Sequence, residues 1–183
     1  MPPRYTPPQP DSSPAVPLPI ETERLIVRPF LVAADTRPML TVYGDPEVMR
    51  FIPGGALPDA AAVRATLETH AGTQERLGFS AWAVVERQTG DVIGDAGFGI
   101  FEPTGDLELG YTLARAHWGL GYATEAAAAC LEAGLAHIEA PRIVAVVDEA
   151  NEASLRVAER IGMTRTGTIE AHGRPHVLFA ARR

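Results

Sequence analysis

ELGYTLARAHWGLGYATEA, residues 108–126, holds the turn on which the fold is decided. The segment LELGYTLA reads as a strand, a short turn carries Gly119 and Gly121, and a helix begins at once. Glycines at such a place let the backbone turn tightly and aim successive N–H groups at one point. The first turn of the helix adds unsatisfied donors and the positive end of its dipole. This arrangement suits an anion, most naturally a pyrophosphate, although an ordinary glycine turn explains the same letters. A dinucleotide-binding fingerprint fits poorly: a third glycine is required where Thr124 stands, and an acidic residue about 20 positions on, at the end of the next strand. Glu139 falls before that strand begins.

Downstream, the helix expected over 122–138 is apolar or small nearly all round, through Ala126–Ala129, Cys130, Leu131, Ala133, Leu135 and Ala136. Such a helix is expected to be buried, with Cys130 as packing rather than nucleophile. A strand at 142–147 leads into VDEANEASLRVAERIGM, residues 147–163. Asn151 stands where a helix N-cap belongs, and Ser154 lies one turn on. Capping alone explains Asn151, yet in a parallel α/β crossover this strand end lies beside the glycine turn.

Upstream, ETERLIVRPF alternates as a strand does, helices are expected at 33–43 and 59–76, and SAWAVVER, DVIGDAGFGIF and LELGYTLA form a meander. Two strands near 165–169 and 176–181 close the chain. The order β-α-α-β-β-β-α-β-α-β-β is mixed α/β, with one helical crossover joining parallel neighbours. Residues 1–19 carry eight of the sixteen prolines and few apolar side chains. They read as an extended or disordered arm, leaving 20–183 as the domain.

Composition excludes whole chemistries. All sixteen basic residues are Arg, so Schiff-base lysines, phosphate-loop lysines and lysine nucleophiles are absent. A net charge of −7 argues against nucleic acid as a partner. One cysteine permits no internal disulfide and no cysteine metal cluster. Nothing reads as a secretory signal or a membrane span, so a cytoplasmic location with no membrane partner is expected.

Three stretches in order, ETERLIVRPF, LGYTL with HWGLGYATEA, and N-E-A-S with R-I-G-M, resemble the GNAT N-acetyltransferases over residues 20–183, and within them the RimJ/RimL-like branch of ribosomal-protein N-terminal acetyltransferases. The resemblance implies a splayed mixed β-sheet flanked by helices, the acyl-CoA N-acyltransferase fold, with acetyl-CoA between the strands at 107–113 and 142–147. It assigns the loop Trp118, Gly119, Leu120, Gly121, Tyr122 and Ala123 to the CoA pyrophosphate, with Thr124 as a further donor. Leu109, Gly110, Tyr111 and Thr112 would bond the pantetheine arm, with Asn151 opposite. Arg160 stands where relatives often carry a basic residue. Many members place a tyrosine seven residues after this asparagine as proton donor to the thiolate. Here Ala158 stands there, and Ser154, three residues after the asparagine, matches the nearer relatives.

Acetyl transfer to an amine then needs a base, and Glu108 at the start of the site strand is the candidate, against a solvated turn carboxylate beside Asp106. A strand N–H near Leu109 or Gly110 would polarise the carbonyl. His172 and His176 have the spacing of helical metal ligands, but Gly173 and Pro175 lie between them, and no metal is expected. His117 either meets a CoA phosphate or is solvated, and Arg156 and Arg160, four apart on one helix, meet either CoA phosphates or nearby acids. The expected partner is an amine acceptor, a peptide N-terminus or a small molecule, with a homodimer implied only by resemblance. The competing class is a catalytically idle CoA-binding sensor.

Overall fold

The computed structural model describes residues 16–182. Its strands are β1 (Ile20–Glu21), β2 (Leu25–Arg28), β3 (Ala81–Glu86), β4 (Val92–Phe101), β5 (Asp106–Leu113), β6 (Ile143–Asp148), β7 (Thr164–Ala171) and β8 (Arg174–Ala181). The helices are α1 (Val32–Tyr43), α2 (Ala60–Leu77), α3 (Tyr122–His137) and α4 (Glu152–Arg160). All eight strands form one sheet in the order β1-β2-β3-β4-β5-β6-β8-β7. The expected mixed α/β architecture is present, with the short β1 as an addition. The α3 crossover makes β5 and β6 parallel, as expected. Their ladder holds only Leu107 with Ile143 and Glu108 with Val144, and then the two strands part. This fork is the feature that positions everything below.

One face of the sheet carries α3 and α4 over a core that includes Trp82, Phe98, Leu109, Cys130, Ile143 and Phe179. The other carries α1 and α2 over Met39, Val42, Val63, Leu67 and Ala83. Helix α2 starts where Pro58 predicts, with the Asp59 side chain accepting from the Ala62 N–H, and stops at left-handed Gly78. Helix α1 is held to its neighbours by charge. Asp35, buried, takes two hydrogen bonds from Arg28 at 2.7 and 2.9 Å and one from the Leu31 N–H. Tyr43 at its far end donates to the buried Asp95 of β4.

Two expectations need correction. Helix α3 is not buried all round: Ala128, Glu132 and Ala136, spaced one turn apart, form an exposed stripe. Glu132 is the one letter that marks the stripe, since alanine at 128 and 136 tolerates either environment, while Gly134 marks the buried side, where a Cβ would lie 2.4 Å from Phe98. Cys130 is buried as expected, and burial pushes its thiol up to about 12. The expected arm lies mostly outside the described residues. Of its last four positions, Val16 is buried in the core beside Leu18, and its N–H bonds the Gly78 carbonyl. Proline-rich chain can still dock when an apolar side chain finds a slot.

Candidate active site

Where β5 and β6 part, the cleft between them holds about 730 Å³. Its walls include β5 from Glu108 to Leu113, the turn before α3, the end of β6 and the start of α4. Beyond the fork, the edge of β5 that faces β6 has no strand to pair with. It offers its backbone groups along Leu109, Gly110, Tyr111 and Thr112 to whatever enters.

The turn leading into α3 is built for backbone donors. Gly119 and Gly121 have φ of +74° and +83°, a conformation that L side chains rarely adopt. Gly121 takes the N-cap position of α3, and no side chain caps the helix there. The first N–H groups of α3 are therefore left to a ligand, with the dipole behind them. A Cβ at Gly119 would meet nothing within 4 Å, so the turn is open as well as left-handed. Trp118, half exposed, is fixed by donating its indole N–H to the Leu113 carbonyl at 2.8 Å. Tyr122, Ala123 and Thr124 line the cleft with it. Leu120 alone among the predicted loop residues does not: its side chain is 54% exposed, and its carbonyl accepts a 2.9 Å hydrogen bond from Arg24. A cleft that takes an anion through N–H groups does this with Gly119 and Gly121, and Leu120 between them turns outward.

Across the fork, Asn151 caps α4, its Oδ1 accepting from the Ser154 N–H at 3.2 Å. The cap leaves the Asn151 amide nitrogen as its free donor group. Ser154 lines the cleft, and its backbone carbonyl accepts from the Tyr111 hydroxyl at 3.1 Å. This bond is a strut between β5 and α4 with no counterpart among the sequence motifs. Burial pushes the Tyr111 phenol up to about 12, which keeps it protonated and donating. Arg156 and Arg160 both line the cleft, and Arg156 also pairs with Glu152 at 3.2 Å.

At the closed end stands Glu108. Its side chain is not a turn carboxylate beside Asp106: burial pushes the carboxyl up to about 7, and a bond from the Val146 N–H works in the other direction. Asp106 has a separate, structural role. Although burial alone would raise it, hydrogen bonds from Arg142 and Thr104 bring its carboxyl below the usual range. A carboxyl that exchanges its proton near neutrality, in a cleft, is a group suited to acid–base work. Beyond it the cleft is lined by Glu47, Arg50, Phe51 and Ile52 of the α1–α2 connection and by Asp148, His172 and His176. His172 and His176 belong to the β7–β8 hairpin, their rings 6.0 Å apart, and His176 Nδ1 lies 2.9 Å from the Arg174 carbonyl. That carbonyl only accepts, so Nδ1 carries the proton. Among the described residues, no group of three or more His, Cys, Asp or Glu is placed to hold a metal ion. His117 packs against Tyr122 beside the loop.

Known proteins resemble this chain in sequence and fold. The acetyltransferase (GNAT) domain family matches residues 24–164. The chain is 34% identical over 164 residues to the protein YkkB of Bacillus subtilis (strain 168), covering 86% of this chain and 92% of that one. It is 26% identical over 149 residues to the uncharacterized N-acetyltransferase p20 of Bacillus licheniformis, covering 81% and 83%. Among solved structures, a GNAT-family acetyltransferase from Bacillus anthracis superposes with a TM-score of 0.77 at 26% identity, over 89% of this chain and 97% of that one. A structure from Vibrio cholerae titled as a ribosomal-protein-serine acetyltransferase shares the fold, with a TM-score of 0.72 at 18% identity over 90% and 97%.

Proposed function

Because the chain belongs to the GNAT acetyltransferase family and is an N-acetyltransferase, we propose that it moves an acetyl group from acetyl-CoA to a primary amine by direct attack, with Glu108 as the base. The observation that carries this reading is a carboxyl raised to about 7 at the closed end of a forked sheet whose open end is an uncapped helix start. The residues present fit acetyl-CoA: Trp118, Gly119, Gly121, Tyr122, Ala123 and Thr124 would hold its pyrophosphate, Leu109–Thr112 and Asn151 its pantetheine arm, and Arg160 a phosphate. When bound, acetyl-CoA supplies an acetyl group activated as a thioester. Glu108 takes the proton of the incoming ammonium, and a β5 N–H at Leu109 or Gly110 orients and polarises the acetyl carbonyl. Ser154 holds a proton at Oγ for the departing sulfur. The RimJ/RimL-like branch, with a peptide α-amine as acceptor, is favoured by the sequence motifs. It also suits the chemistry: an α-amine ionises near 8 and needs less help from a base than a lysine amine near 10.4.

The test is the pH dependence of acetyl-CoA turnover with a panel of peptide and small-molecule amines. A base works only when deprotonated, so kcat/KM rises with pH through about 7. Glu108→Gln removes that rise, lowers kcat by roughly 100-fold, and leaves only the ionisation of the acceptor near 8. A variant with the wild-type profile rejects Glu108 as the base. The same shift has a stability sign: the folded value lies above the unfolded one near 4.3. Its contribution is therefore full at low pH and is lost as pH rises through about 7.

A further inference from the structure

The opening motif ETERL has no part in the chemistry above, yet the structure ties it to the loop before α3. Arg24 donates from Nη1 to the Leu120 carbonyl at 2.9 Å, and from Nε to Glu125 Oε2 at 2.7 Å. Its Nη2 also lies 2.7 Å from the same Oε2, and its backbone N–H donates to Oε1 at 2.8 Å. Thr22 adds a 2.6 Å bond from its hydroxyl to Oε1. The guanidinium lies 4.4 Å from the centre of the Tyr122 ring, and the Tyr122 hydroxyl donates to Glu86. A Cβ at Gly121 would come within 3.4 Å of Arg24 Nη2, so the cation sits directly under the glycine.

Glu125 occupies the first turn of α3. A carboxylate there favours the helix itself but opposes a second anion at the same end. Although burial works the other way, hydrogen bonds from Thr22 and Arg24 and the Arg24 charge hold its carboxyl below the usual carboxylate range. The charge is therefore present at neutral pH and must be cancelled for a pyrophosphate to bind. Resting on the acetyl-CoA reading, we propose that Arg24 is a positioning residue of the donor site: it cancels Glu125 at the start of α3 and, through the Leu120 carbonyl, fixes the loop with its N–H groups toward the cleft. In a chain without lysine, this arginine brings positive charge to the loop from the turn between β1 and β2, 96 positions from Leu120 and 101 from Glu125 in sequence.

Calorimetric titration with CoA of the wild type, Arg24→Gln, Glu125→Gln and the double variant tests this, with melting temperatures taken on each. Arg24→Gln leaves an uncancelled carboxylate beside the phosphates and weakens CoA about tenfold. Glu125→Gln removes the opposing charge and binds CoA as tightly as the wild type or more tightly, although it loses the same ion pair. The double variant falls between the two. The ratio of kcat/KM for acetyl-CoA over S-acetylpantetheine, which carries no phosphate, falls about tenfold in Arg24→Gln only. Equal weakening in Arg24→Gln and Glu125→Gln would mean a clip that merely holds two elements together, and overturns the proposal; so does unchanged affinity in Arg24→Gln. Should Arg24→Gln melt too low to titrate, Glu125→Gln decides alone, because charge and clip predict opposite directions. Wild-type protein that neither binds CoA nor turns over acetyl-CoA overturns the function instead, whatever the variants do.

Discussion

Two helices begin at the same cleft and begin differently. Helix α4 carries a side-chain cap, Asn151 to the Ser154 N–H, and a high share of polar residues on a short nine-residue span. Helix α3 starts on a left-handed glycine with no side-chain cap, and is sixteen residues long. A cap satisfies the donors that a helix start would otherwise show to a ligand. The uncapped start is therefore the one fitted to bind an anion through its backbone. The capped one presents side chains instead, the Asn151 amide and the Ser154 hydroxyl. The longer helix also aligns more peptide dipoles behind its open end. One terminus is left unfinished for charge, and the other is finished and used as a platform for hydrogen-bonding groups.

The most damaging way to erase this difference is to cap α3. Gly121→Asp places an acceptor on the free N–H groups and a negative charge at the same point, in a conformation of φ +83°. CoA affinity measured by titration is expected to fall by ~100-fold or more, with Gly121→Ala, which adds backbone strain without cap or charge, losing less. Ser154→Ala tests the other terminus where it serves chemistry. Turnover should drop roughly tenfold while the CoA dissociation constant stays within about twofold, a split read from kcat against titration. Wild-type turnover would remove Ser154 from the mechanism. Smallest is the loss of the natural cap. Asn151→Ala should cost about 1 kcal/mol of stability in denaturant titration, together with a several-fold weaker CoA affinity. Unaltered affinity would leave Asn151 with capping alone.

The same contrast shows what the sequence could disclose. The cap at Asn151 and the glycine pair are local patterns, set by residues within a few positions of each other, the parallel crossover follows from the order of elements along the chain, and each stands where the letters place it. The fork is not local. That Glu108 would meet the Val146 N–H depends on two strands parting after two residue pairs, which no periodicity records. Arg24 and Glu125 are partners across 101 positions, and each alone reads as an ordinary surface charge. Leu120 shares its glycine-rich surroundings with the residues that line the cleft, and nothing in the letters marks that its carbonyl bonds Arg24 while the residue lies exposed. The exposed stripe of α3 was marked by one letter, Glu132, and the alanines at 128 and 136 carry no preference strong enough to extend that mark along the helix.

The parting of β5 and β6 also leaves strand edges inside the sheet. A sheet normally exposes unpaired backbone only at its two outer rims, where a foreign strand can add to it. Here a further pair of such rims lies inside the sheet, along 109–113 and 145–148, framed by the Tyr111–Ser154 strut and the indole of Trp118. The sheet therefore presents unpaired strand edges in its middle as well as at β1 and β7, its two outer strands.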